Sequence, residues 1–323
     1  MKYGASWDGT STDATAPPRP EEALHLNPCI RCKADKVKDE DGICPYILGE
    51  DHLPLRCVGF WAKEKLYYLE RYMEVFNASM KDKWSKRAYI ELFAGPGVGI
   101  VRDSGQIIKG SPLLAIEQAV PFGHYVFVDI NTDALSALQK RAKRLRPEAD
   151  IEFIPRDCNS TVDEIRTSID SSYLILTFID PTSMQAKFST IKSLTESLRM
   201  DLIMNFPLQA INRSYTYALQ GYNQKYDDFF GTNEWRSILT SSSDFRSIGA
   251  KLLNLYKNQL RGIGYGQIND LTDGQSSESG EILVRGPKNI PLYYLVFAGK
   301  HKIAYKFWNE IQKIRANSQR RLL

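Results

Sequence analysis

The sequence carries no cysteine after Cys158, no apolar run long enough to cross a bilayer, and no hydrophobic core of a secretory signal near its start. With only five cysteines in 323 residues and no export signal, a disulfide framework is excluded as the basis of the fold. Without a spanning segment or signal, a cytoplasmic protein with no membrane association is expected. Charge of one sign is scarce as well: 42 basic against 38 acidic residues leave a net +4, too small an excess to require a polyanionic partner. A basic tail, Lys313 to Arg321, concentrates part of it and reads as a solvated helix end. Internal repeats are absent.

What is present divides the chain unevenly. Residues 1 to about 27 are rich in Thr, Ser, Pro and Glu and read as a leader without a packed core. Residues 28–59 hold four of the five cysteines. From about residue 60 onward the pattern is that of one large domain, with a less regular insertion at about 208–245.

Within that domain, apolar runs alternate with amphipathic stretches. Trp61, Leu66, Leu69, Tyr72, Met73 and Phe76 recur at helical spacing and predict a helix to about residue 78. Strands are predicted at 89–93, 125–129, 151–154, 174–180 and 201–206. Helices are predicted between them at about 112–120, 132–145, 160–170 and 187–199, with Ser111 and Thr132 as caps. A helix near 246–262, a Gly/Ser loop at 272–280, a strand at 292–297 and a last helix from about 301 complete the reading. Continuous apolar runs such as Leu174-Ile-Leu-Thr-Phe-Ile179 indicate strands covered on both faces, hence a mainly parallel α/β sheet.

The first strand runs through Glu91 into Phe93-Ala-Gly95-Pro-Gly97-Val-Gly99. A pyrophosphate turn reads G-x-G-x-x-G and opens into a helix whose free amides meet the phosphate. Here the third glycine comes one residue early, Pro96 removes a donor, and a polar loop at 102–110 delays the next helix. An NAD-type ligand is therefore disfavoured. A ligand with an adenosine, a sulfonium and an amino-acid tail suits the turn better, with Glu91 facing the tail's ammonium. That ligand is S-adenosylmethionine.

Carboxylates recur at strand ends, where ligands of open α/β sheets lie. Asp129 is placed to accept ribose hydroxyls, Asp157 to take an adenine amino group, and Asp180 to act at the reacting centre, with Asn205 on the next strand beside it. Cys158, next to Asp157, reads as a small apolar wall residue. A carboxylate at Asp180 suits proton removal from an amine or hydroxyl during methyl transfer. The motif Asp180-Pro-Thr-Ser183 departs from the D/N-P-P-Y/F of nucleic-acid aminomethyltransferases, so Phe206 is the candidate for stacking a target base. Cytosine-C5 chemistry needs a Pro-Cys nucleophile after this strand, and none exists.

The ordered series Trp61-Ala-Lys-Glu-Lys-Leu66, Glu91-Leu-Phe-Ala-Gly-Pro-Gly97, Phe178-Ile-Asp-Pro181, Met204-Asn-Phe-Pro207, Phe229-Phe-Gly-Thr-Asn-Glu-Trp235 and Tyr293-Tyr-Leu-Val-Phe-Ala298 resembles the three-Cys-motif partner family over about residues 59–314. The resemblance implies a Rossmann-like class I methyltransferase fold. It also implies partnership with a separate radical-SAM-like three-Cys-motif protein, without bringing a substrate.

Cys29-x2-Cys32, Cys44 and Cys57 offer four thiols at spacings that suit a structural zinc, an iron–sulfur cluster being the lesser alternative. A small metal-binding appendage on the Rossmann-like domain is therefore expected. The C-x3-C-x2-C of a radical-SAM enzyme is absent. The functional expectation is an S-adenosylmethionine-dependent methyltransferase acting on a macromolecule, nucleic acid ahead of protein; the rival is a cofactor-binding adaptor that transfers nothing.

Overall fold

The computed structural model describes residues 46–102, 104–241, 245–266, 268–269 and 280–320. The leader and Cys29, Cys32 and Cys44 lie outside the described residues, as does the predicted Gly/Ser loop apart from Gly280.

In chain order the elements are β1 (Ile47–Leu48), β2 (Pro54–Val58), α1 (Ala62–Met80), β3 (Arg87–Glu91), β4 (Val98–Val101), β5 (Ile107–Lys109), α2 (Ser111–Ile116), β6 (His124–Val128), α3 (Thr132–Leu145), β7 (Ile151–Ile154), α4 (Val162–Ser168) and β8 (Leu174–Ile179). They continue with α5 (Phe188–Ser197), β9 (Arg199–Phe206), α6 (Leu208–Leu219), α7 (Gln224–Phe230), α8 (Trp235–Ser241), α9 (Phe245–Gly262), β10 (Glu281–Arg285), β11 (Pro291–Ala298) and α10 (Lys302–Arg320).

Seven strands form the main sheet in the order β10-β11-β9-β8-β3-β6-β7. Pairs β3·β6, β3·β8, β6·β7 and β8·β9 are parallel, whereas β11 runs antiparallel to both β9 and β10. The chain builds outward from β3 in one direction and then returns to continue from β8 in the other. This order, with one inverted strand inserted next to the edge, is that of the class I methyltransferase fold. Its switch point lies between β3 and β8, where the carboxyl ends of neighbouring strands leave a crevice.

Alternation along the strands explains the layers. Tyr89, Tyr125, Phe127, Leu176, Phe178, Ile203, Leu295 and Phe297 face α1, α2, α3 and α10, and Phe297 stacks on Trp308 at 4.9 Å between ring centres. The residues between them, among them Ala88, Ile90, Val126, Ile175, Leu202 and Met204, face the opposite layer, which includes Ile165 of α4, Ile191 of α5 and Leu252 of α9. Both faces are covered, so the period-2 pattern disappears into continuous apolar runs.

Three strand regions depart from the sequence reading, the first being β1 and β2, which lie in the 28–59 segment read as a cysteine-bearing appendage. The stretch after Gly97, for which no strand and only a loop at 102–110 is predicted, forms β4 and β5, which pair antiparallel around a turn at Gly105; β4 also pairs parallel with β2 in a second sheet ordered β1-β2-β4-β5. Glycine and lysine interrupt the apolar alternation of Val98-Gly-Ile-Val101 and Ile107-Ile-Lys109, which hid the strands. The edge strand β10 was likewise masked by the Gly/Ser-rich run before it. Capping differs by one residue as well. Asn131, whose side chain accepts from the amide of Ala134, caps α3, and Ser111 is inside α2 rather than capping it. Among the described residues no helix is long and apolar enough to cross a membrane.

Candidate functional site

A cavity of about 660 Å³ opens at the carboxyl ends of β3, β8 and β9, within the size range of small-ligand sites. The turn at 93–99 forms its floor, α1 contributes Ala62 and Lys65, and α6 overhangs it from the other side.

The floor is open because of one glycine. Gly95 has φ +61°, and a Cβ built there meets no atom within 4 Å. Gly97, at φ +77°, is instead packed, its Cβ position 2.6 Å from the Leu138 side chain. Gly99 approaches the carbonyl of Arg56 on the neighbouring strand, 3.2 Å from its own Cβ position. Among the described residues no packed side chain seals the bend at Gly95, so a flat group can lie against its backbone.

Asp180, just after β8, and Asn205, on β9, meet across adjacent strands. Asn205 Nδ2 donates to Asp180 Oδ1 at 3.0 Å, and this fixes the amide's orientation. Asn205 Oδ1 is then a buried acceptor with no hydrogen-bond partner among the described residues. The second oxygen of Asp180 is paired with the ammonium of Lys65. Sequence reasoning did not single out Lys65 as a site residue. The available signal was its place on the buried side of α1, flanked by Ala62, Leu66 and Leu69, where a lysine needs a partner.

Phe93, Gly95, Gly97, Gly99, Asp180, Asn205 and Cys57 line this one cavity. Glu91, Asp129, Asp157 and Cys158 are not part of its wall. Glu91 is fully buried behind the turn, accepting from Ser111 Oγ at 2.5 Å and Tyr89 Oη at 3.0 Å. Burial holds its carboxyl well above the usual range, against the pull of those two hydroxyls. Asp129 clasps the turn through its backbone, accepting from the amide of Gly95 at 2.7 Å and that of Asn131 at 2.8 Å. Asp157 is exposed and caps a short 3-10 turn by accepting from the amide of Asn159. Cys158 is buried, and burial together with the Asp157 carboxylate pushes its thiol up to about 12, so it stays a neutral thiol at physiological pH.

Phe206 is in the aromatic core, 1 % exposed among Phe229, Phe230 and Tyr256, and is not placed to stack a substrate. Cys57 is buried on β2; among the described residues no group of three or more His, Cys, Asp or Glu could hold a metal ion.

No protein-family model and no curated protein matches the chain. Solved structures do share parts of its architecture. A protein from Legionella pneumophila is 15 % identical over 55 % of this chain and 76 % of its own, with a TM-score of 0.40. Magnesium protoporphyrin IX methyltransferase from Synechocystis, solved with bound S-adenosylhomocysteine, is 12 % identical over 75 % of this chain and 88 % of its own, at 0.33. A SAM-dependent methyltransferase from Thiobacillus denitrificans in complex with S-adenosyl-L-homocysteine is 14 % identical over 59 % and 86 %, at 0.28. Likenesses this distant carry no argument about activity. The strand order and the inverted β11 define the fold, and the cavity at its switch point is where chemistry is to be sought.

Proposed function

We propose that the chain is an S-adenosylmethionine-dependent methyltransferase with a macromolecular acceptor, nucleic acid ahead of protein. The observation that carries this reading is the shared cavity, in which an unobstructed glycine bend meets a carboxylate–amide pair. The residues present fit the cofactor. Gly95 leaves room for the adenosyl group over the bend, and Asp129 holds that bend in shape from behind. Asp157 and Cys158 belong to the adjoining loop. Glu91 and Ser111 complete the buried support of the turn.

The bound cofactor would supply an electrophilic methyl whose bond to sulfur breaks, with the electron pair going to sulfur, as the acceptor's lone pair forms the new bond. Asp180 and Asn205 align the acceptor. An amine or hydroxyl donates its proton toward the Asp180 carboxylate and, where the acceptor is a primary amine, Asn205 Oδ1 accepts from its second N–H; the proton released passes to Asp180 or to solvent. Lys65 must swing from the carboxylate, or stay on its far oxygen, as the acceptor enters.

The second reading, a cofactor-binding adaptor without transfer, is favoured by that same Lys65–Asp180 pair and by Thr182-Ser183 after Pro181. A structural zinc on Cys29, Cys32, Cys44 and Cys57, the iron–sulfur alternative, a radical-SAM-like three-Cys-motif partner and a cytoplasmic location belong to the proposal on the strength of the sequence alone. Native mass spectrometry of wild type and Cys32→Ser tests the metal.

For the activity, calorimetry with S-adenosylmethionine is paired with transfer of labelled methyl to cellular RNA, DNA and protein pools. Asp180→Ala should keep cofactor affinity within about threefold and lower transfer by at least about 100-fold, the size of a lost acid–base group. Cofactor binding by wild type without transfer to any pool establishes the adaptor; absence of cofactor binding removes both readings.

A further inference from the structure

Among the described residues, the cavity wall carries more basic than acidic side chains. Among the described residues that line it, Arg56, Lys65, Arg102, Arg213 and Lys225 are basic and Asp180, paired with Lys65, is acidic. Over the full sequence, basic and acidic residues number 42 and 38. Basic side chains gathered in one concave place offer contacts to an anion, which a cofactor that itself bears a sulfonium would not use.

The overhanging wall adds a second chemistry. On α6 the residues Ala210, Arg213, Ser214 and Tyr217 face the cavity at i, i+3, i+4 and i+7, while Leu208, Ile211 and Ala218 are buried toward the core. The cavity face carries a large ring at its end. Tyr217 is 62 % exposed, and Tyr222, in the link to α7, is 77 % exposed. Between Arg213 and Lys225 the basic and aromatic residues of the cavity wall come in the order Arg213, Tyr217, Tyr222, Lys225. Exposed rings next to cations match a polymer that alternates flat bases with phosphates. A pocket of this size admits one unstacked base and not a duplex.

Resting on the methyltransferase reading, we propose that the α6–α7 wall grips a single-stranded nucleic acid, with Tyr217 and Tyr222 stacking bases and Arg213 and Lys225 contacting the flanking phosphates. One base is thereby directed toward Asp180 and Asn205. An acidic peptide would satisfy the cations but would give the two rings nothing to stack on.

The test is fluorescence anisotropy of the full chain with labelled RNA and DNA strands of about 12 nucleotides, across about 50 to 200 mM salt. Wild type should bind, more weakly as salt rises. Tyr217→Ala/Tyr222→Ala should lose at least about tenfold in affinity with the salt slope unchanged, and Tyr217→Phe/Tyr222→Phe should restore it, because the ring and not the hydroxyl does the stacking. Arg213→Gln/Lys225→Gln should weaken binding and flatten the slope by about 1.4, the value for two phosphate contacts on a single strand.

No binding by wild type, unchanged binding by the tyrosine pair, or equal competition by a polyglutamate peptide overturns the inference. Calorimetry with S-adenosylmethionine on the same proteins separates the two levels. Wild type that binds the cofactor but no oligonucleotide refutes the grip and leaves the methyltransferase reading standing, whereas strand binding by wild type without any cofactor binding does the reverse.

Discussion

Arg141 and Asp51 form a two-pronged ion pair, Nε to Oδ2 at 2.7 Å and Nη2 to Oδ1 at 2.8 Å, between helix α3 and the turn linking β1 to β2. The same guanidinium donates to the carbonyls of Pro54 and Pro96, each at 2.7 Å. Arg141 is 6 % exposed. One side chain thus ties the small sheet to the back of the glycine bend, so the rigidity of the bend depends on a residue that does not line the cavity.

Arg141→Leu should therefore act on stability and binding together. It strands the partly exposed Asp51 and leaves two carbonyls without their donor, a loss of about 2–4 kcal/mol by analogy with broken buried pairs. Asp51→Asn keeps an acceptor for the guanidinium and should lose about 1 kcal/mol. Urea denaturation measures both. Cofactor affinity should fall in Arg141→Leu at temperatures where the protein is still folded, because the carbonyl of Pro96 is released.

The two positive-φ glycines of the bend should separate packing from binding. Alanine at Gly95 meets open space, so its penalty is the left-handed backbone alone, about 1–2 kcal/mol, but its methyl group enters the cavity. Alanine at Gly97 suffers the same strain and also drives a methyl into Leu138 and Leu113. Gly95→Ala is expected to lose cofactor affinity out of proportion to its small drop in Tm. Gly97→Ala should lose more in Tm than Gly95→Ala. Thermal melts alongside calorimetry distinguish the two, and equal behaviour would refute the division of labour.

Most of the main sheet was legible because its signals are local. Ile151–Ile154 matches strand β7 and 132–145 matches α3 at both ends, since an apolar run bounded by polar turns, or a strong amphipathic period, is decided within a few residues. The gathering of Gly95, Asp180 and Asn205 in one cavity follows from strand order, which the strand-end rule anticipates. What sequence could not supply was depth. Glu91 and Asp129 stand at strand ends as predicted, yet their carboxylates spend their hydrogen bonds on Ser111, Tyr89 and two backbone amides, because the turn folds over them. Phe206 was open to the same error: one pleat decides between cavity and core, and it faces Phe229 and Tyr256. Lys65 escaped notice because its partner is 115 residues away in sequence.

A last prediction concerns pH. Asp201, at the start of β9, accepts from Tyr72 Oη at 2.8 Å and from the amide of Lys300 at 3.3 Å, yet burial pushes its carboxyl from the ordinary 3.8 up to about 6. Between those two values the folded protein holds a proton that the unfolded chain has released. The folded state is thus favoured at the acid end, and that contribution is lost as pH rises through about 6. The residue keeps a partly exposed edge, which limits the effect to about 1–2 kcal/mol. Asp201→Asn preserves an acceptor for Tyr72 and removes the titration. It should match wild type near about pH 4 and exceed it in unfolding free energy by that amount near about pH 7. Glu91, whose carboxyl is also raised by burial, adds a slope of the same sign, so the quantity to measure is the difference between variant and wild type in urea unfolding at the two pH values. A difference independent of pH would mean that Asp201 stays ionised throughout, held by Tyr72 and the Lys300 amide more strongly than burial opposes it.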